Sequence, residues 1–90
     1  MSDNNKFLIQ DHKEGSRVQR IYKFDNGYGA SVVKGPFTYG GKDGKWELAV
    51  INNITEEGFD MCYDTEITDD VIGHLNDPEV DRLLYKIRDL

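Results

Sequence analysis

Between residues 17 and 63 apolar and polar positions alternate with a period near two, and beyond residue 76 the period lengthens to that of a helix. Val18, Ile21, Tyr22 and Phe24 lead into Asp25-Asn26-Gly27-Tyr28. Asn-Gly between strand-type runs predicts a hairpin closed by a two-residue type I′ turn, with Gly27 supplying a positive φ. The return strand covers residues 29–34, setting Ile21 opposite Val32 and Arg20 opposite Val33, so both faces of the hairpin carry apolar groups. Gly35-Pro36 breaks this strand and opens a glycine-rich loop that ends at Gly44. Residues 46–52 form a third strand with Trp46, Leu48 and Val50 on one face and Ala49 and Ile51 on the other, which marks a central position. After a turn over 53–58, Phe59, Met61 and Tyr63 alternate with Asp60, Cys62 and Asp64, as on an edge strand.

Two helices are predicted next. Thr68 caps a short one over 68–75, with Asp69 and Asp70 in its first turn, where the helix dipole favours negative charge. Asp77 caps the second with Pro78 at its first position, and Val80, Leu83, Leu84 and Ile87 fall on one stripe. The expected architecture is an α+β domain over residues 17–90, a meander of about four antiparallel strands followed by two C-terminal helices packed on one face. Residues 1–16, polar apart from Phe7-Leu8-Ile9, are expected to form a flexible arm. Helices on one face leave the other sheet face to a partner, and a homodimer is the simplest occupant.

Ninety residues fit one domain, and 38% hydrophobic with 31% charged residues allows a modest core. The longest apolar run, residues 48–51, is far short of a membrane span, and the N-terminus is too polar for a signal peptide. Cys62 alone permits neither an internal disulfide nor a cysteine zinc cluster, so a reducing cytoplasm is the expected compartment.

Charge changes the picture more. Residues 1–45 carry five acids and eight bases, residues 46–81 eleven acids and no base, and residues 82–90 one acid and three bases. So anionic a middle third repels phosphate, which disfavours direct nucleic-acid binding and favours a protein with a basic surface. Asp60, Asp64, Glu66, Asp69 and Asp70 are the candidate partner-binding residues.

Candidate chemistry is sparse. The glycine loop lacks the Gly-Lys-Ser/Thr of a phosphate cradle, and Gly27-Tyr28-Gly29 lacks the third glycine of a dinucleotide fingerprint. His12 and His74 are far apart in sequence, and the acids lack the spacing of a calcium loop, so neither a metal nor another cofactor is expected. Cys62 has no histidine near it in sequence, and no catalytic residue is assigned. Aromatic residues interleave with lysines from Tyr22 to Trp46, a pattern that serves either core packing or base stacking. Tyr28, Phe37, Tyr39 and Lys42, in or near loops, are the alternative ligand-binding set.

Three strings, Asp25-Asn26-Gly27-Tyr28-Gly29-Ala30-Ser31-Val32-Val33, the stretch from Tyr39-Gly40-Gly41 to Trp46-Glu47-Leu48-Ala49-Val50, and Tyr63-Asp64-Thr65-Glu66-Ile67-Thr68-Asp69-Asp70-Val71-Ile72-Gly73, resemble small proteins of unassigned activity carried by tailed bacteriophages. The likeness spans about residues 17–90 and implies an infected bacterial cytoplasm as the setting. The expected function is that of a non-enzymatic accessory protein that binds and modulates a host or phage protein through its acidic surface or open sheet face. The alternatives are a protein that binds or sequesters a small ligand or nucleotide with the loop between Gly35 and Gly44, and a minor structural protein.

Overall fold

The computed structural model describes residues 3–35, 44–62 and 72–90. They build an antiparallel sheet with one C-terminal helix, an α+β fold that is mostly sheet. A 3-10 helix, Asp3–Phe7, leads into β1 (Leu8–Glu14), and β2 (Arg17–Lys23), β3 (Tyr28–Lys34), β4 (Trp46–Thr55) and β5 (Gly58–Met61) follow as a meander. β6 (Ile72–Leu75) returns to β4, and α1 (Asp77–Arg88) follows. One edge of β4 bonds β3; the other is shared, with Ile51 opposite Met61 of β5 and Trp46 opposite Leu75 of β6. β4 is therefore the central strand that its two apolar faces predict.

The first hairpin departs from the two-residue expectation. Lys23 lies opposite Gly29 and Ile21 opposite Ser31, and Phe24 N–H donates to Tyr28 C=O at 2.8 Å, so the loop is Asp25-Asn26-Gly27. Gly27 N–H bonds back to Phe24 C=O, and only Gly27 of the three adopts a positive φ, 89°. A three-residue loop with its glycine in the left-handed region explains this register. It also frees the Asn26 side chain, whose Oδ1 accepts from Tyr28 N–H and whose Nδ2 lies 2.8, 3.1 and 3.2 Å from the carbonyl oxygens of Ile87, Arg88 and Leu90. Asn26 thus caps the carbonyl end of α1, sharing the Ile87 oxygen with Leu90 N–H.

The segment expected to be a flexible arm carries the 3-10 helix and β1. Two anchors hold it. Asn4, only 1% exposed, donates to Asp81 Oδ1 at 2.7 Å and accepts from Arg88 at 3.0 Å, and the Phe7 ring meets Phe24 edge-on at 5.1 Å.

One helix is described instead of two. Residues 72–75, expected to end a helix, are strand β6; residues 68–71 lie outside the described residues. Ile72 and Leu75, three apart, imitate a helical stripe because Gly73 and His74 together oppose Glu47 alone, and His74 takes φ 58°. The same device operates in β4, where Asn53 at φ 50° lets Ile51 and Ile54, also three apart, join one cluster.

α1 begins one residue earlier than expected. Asn76 is its cap, accepting from Glu79 N–H while the Glu79 side chain accepts from Asn76 N–H. This reciprocal pair satisfies two helix-start donors. Val80, Leu84 and Ile87 are buried from the predicted stripe and meet Tyr22, Val32, Leu48 and Val50 on the sheet, with Leu83 at the margin. On the opposite face Ile21, Ile51 and Ile54 form a second cluster with Phe59 against it. Ile21 is 4% exposed, and Tyr22 and Val32 are buried by the helix layer. On the face opposite the helix, which the sequence leaves open, Ile21, Ile51 and Ile54 are thus themselves buried.

Candidate functional site

Two groups of acids contrast among the described residues. Those of α1 work within the fold: Asp77 Oδ1 accepts from Trp46 Nε1 at 2.6 Å, Glu79 completes the capping pair, and Asp81 holds Asn4. Those at the tip of the β4–β5 hairpin face water. Glu56 and Glu57 lie in its turn and Asp60 on β5, all three exposed. Asp60 accepts from Asn53 Nδ2 at 2.9 Å, a bond that orients the carboxylate and leaves its charge unneutralised. Residues 46–62 contain no base, so nothing local offsets this charge. The bases Lys6, Lys13, Arg17, Arg20 and Lys23 lie on the 3-10 helix and on β1, its turn and β2, toward the other end of the sheet. The two ends of the sheet thus differ in electrostatic sign.

Of the expected partner-binding set, Asp60 is placed on this acidic edge; Asp64, Glu66, Asp69 and Asp70 lie outside the described residues. Of the alternative ligand set, Tyr28 is half-buried and packs against the main cluster, while Phe37, Tyr39 and Lys42 lie outside the described residues. Tyr22, Phe24 and Trp46 are buried, so their rings serve packing and are closed to base stacking.

A cleft of about 550 Å³ opens between the start of α1 and the sheet, lined by Arg20, Tyr22, Trp46, Asn4, Asp77 and Asp81 among others. Two cations sit against the Trp46 ring, Lys34 Nζ at 4.4 Å and Arg20 Cζ at 5.0 Å from its centroid. Arg20 Nε is buried and finds no hydrogen-bond partner among the described residues; Asp11 Oδ1 lies 3.6 Å from it. Burial pushes the Tyr22 phenol above its ordinary pKa, an effect opposed by the charge and hydrogen bond of Arg20. The lining thus combines one guanidinium, two carboxylates and the three rings of Tyr22, Trp46 and Tyr85, a set suited to hydrogen bonding.

The sequence reading missed Asn4 and Arg20. Asn4 stands in a polar string with no local signal, and Arg20 becomes distinctive only when β2 and β4 bring it to Trp46. Cys62 is buried in the main cluster, away from solvent. Among the described residues no three His, Cys, Asp or Glu side chains group to hold a metal, and no helix is long and apolar enough to cross a membrane. No protein family, curated protein or solved structure matches this chain.

Proposed function

We propose that this chain is a non-enzymatic accessory protein, acting in a phage-infected bacterial cytoplasm, that binds a basic surface of a host or phage protein through its acidic β4–β5 edge. One observation carries the reading: Glu56, Glu57 and Asp60 are exposed with no base between residues 46 and 62, whereas the helix acids Asp77, Glu79 and Asp81 are engaged inside the fold. Uncommitted like charge steers an oppositely charged partner and makes association salt-dependent. The test captures partners from infected lysate with tagged wild type and with a Glu56→Lys/Glu57→Lys/Asp60→Lys variant, at low and at moderate salt. A partner held by wild type, released by salt and lost to the variant is the expected result. Equal capture by the variant removes the acidic edge from the function.

A second reading, small-ligand binding, is favoured by the cleft, where the buried Arg20 Nε finds no acceptor among the described residues. A ligand there stabilises the fold by mass action, so a thermal-shift screen of small anions and polyhydroxylated compounds distinguishes it, with Arg20→Ala abolishing any shift.

A further inference from the structure

β1 is the open end of the sheet. Among the described strands it bonds β2 alone, and its side chains from Ile9 to Glu14 are all exposed. An edge strand presents a row of unpaired N–H and C=O groups that another strand can continue. Here the register shift beside Ile9 ends the regular stretch, leaving residues 10–14 in unbroken pairing with β2.

Backbone geometry restricts what can be added. Groups pointing away from β2 alternate along β1, so in an antiparallel pairing of two β1 strands each residue opposes only residues of its own parity. The two-fold arrangements centred within the stretch place the axis at Asp11, His12 or Lys13. The first opposes Asp11 to Asp11 and the last Lys13 to Lys13, and like charges directly opposite are destabilising. The arrangement centred on His12 opposes Asp11 to Lys13 and Lys13 to Asp11, two attractive pairs, with Gln10 opposite Glu14 on either side. On its own sheet Asp11 already lies opposite Arg20, with 3.6 Å between Asp11 Oδ1 and Arg20 Nε, so the second copy's Lys13 extends an alternating row of charge. The same register brings Ile9, 56% exposed, level with the open Gly15 turn of the second copy.

We propose that β1 is a dimer interface, taking as its partner a second copy of this chain whose own β1 adds antiparallel about a two-fold axis at His12. Dimerisation of this isologous kind continues one sheet through both copies and closes the β1 edge to further addition. It stands independently of the acidic-edge reading, since the acidic β5 side lies at the other end of the sheet and stays free in the dimer.

The test is sedimentation equilibrium of the full chain at pH 8 from about 10 µM to about 1 mM, a range matched to a small polar interface. Wild type is expected to show a reversible monomer–dimer equilibrium. Lys13→Asp replaces both attractive pairs by aspartate facing aspartate and is expected to raise the dissociation constant about tenfold or more, as is Asp11→Lys. Exchanging the two, Asp11→Lys/Lys13→Asp, restores opposite charges and is expected to return the constant to within about threefold of wild type. Both positions are exposed, and thermal melts check that each variant is folded. A wild type that stays monomeric throughout, a dimer indifferent to Lys13→Asp, or an exchange variant no tighter than the single ones overturns the proposal.

Discussion

On the helix side of the sheet, large side chains fill the space between two layers: Leu48, Val32, Val50 and Tyr22 from the strands close on Val80, Leu84 and Ile87 from α1. On the opposite side the middle of the sheet is paved with small residues, Gly29, Ser31 and Ala49, and among the described residues Ile21, Ile51 and Ile54 form a small cluster, with Phe59 at its margin. One face is therefore vulnerable to lost volume and the other to added volume. Leu48→Ala tests the first. Leu48 is fully buried at the centre of the larger cluster, so truncation leaves a cavity that two packed layers cannot close, at a cost of about 3–5 kcal/mol. For a domain of this size the melting temperature falls on the order of 20 °C, measurable by circular dichroism. A loss below about 1 kcal/mol means that the helix layer does not pack as described.

Gly29→Ala tests the second face with the opposite change. A Cβ there lies 2.0 Å from the Tyr22 carbonyl oxygen and 2.5 Å from Ile54 Cδ1, so β2 and β3 must part for it. Overpacking of this kind costs about 3 kcal/mol, somewhat less than the Leu48 cavity. Adding Ile54→Val removes the methyl and leaves the carbonyl in place; it is expected to recover less than about 1 kcal/mol. Full recovery would show that the side chain, not the backbone, sets the spacing.

The same contrast separates what was legible in the sequence from what was not. The helix face was readable because its apolar residues keep one period: Trp46, Leu48 and Val50 at two, Val80, Leu84 and Ile87 at the helical repeat. Two stretches were misread because bulges break the period, Ile51 to Ile54 on the other face and Ile72 to Leu75 on the helix face itself. Asn53 and His74 adopt left-handed backbone, a conformation that Asn and His tolerate without announcing it, and each re-phases its strand so that apolar residues three apart share a face. In β6 that spacing passed for a helix. Asn26-Gly27 was a true turn signal with the wrong loop length, because the Asn26 side chain is committed to the end of α1, some sixty residues away in sequence. Asp60 was found on the candidate edge by charge alone. Arg20, which lines the cleft, depends on cross-strand neighbours, and local composition carries no trace of it.

The smallest effect sharpens the helix face rather than breaking it. Tyr22 belongs to the main cluster, yet its hydroxyl borders the cleft near Arg20. Burial raises its pKa because the phenolate loses water that the protein does not fully replace, and Arg20 offsets only part of this. The folded chain therefore holds the phenol proton more tightly than the unfolded chain does. Below about pH 10, the ordinary tyrosine value, both states keep the proton and stability is unaffected by this group. As pH rises past that value the unfolded state releases its proton first, and folding stability declines until the folded pKa is passed. Urea unfolding of wild type and Tyr22→Phe at about pH 8 and about pH 11 should show a smaller alkaline loss in the variant, which at the lower pH is less stable by about 1 kcal/mol for the lost Arg20 hydrogen bond. Tyrosinate absorbance followed through the same range should lose, in the variant, a component titrating above 10. If Tyr22→Phe keeps the full alkaline loss, Tyr22 is open to water and the cleft reaches deeper into the helix face than its packing implies.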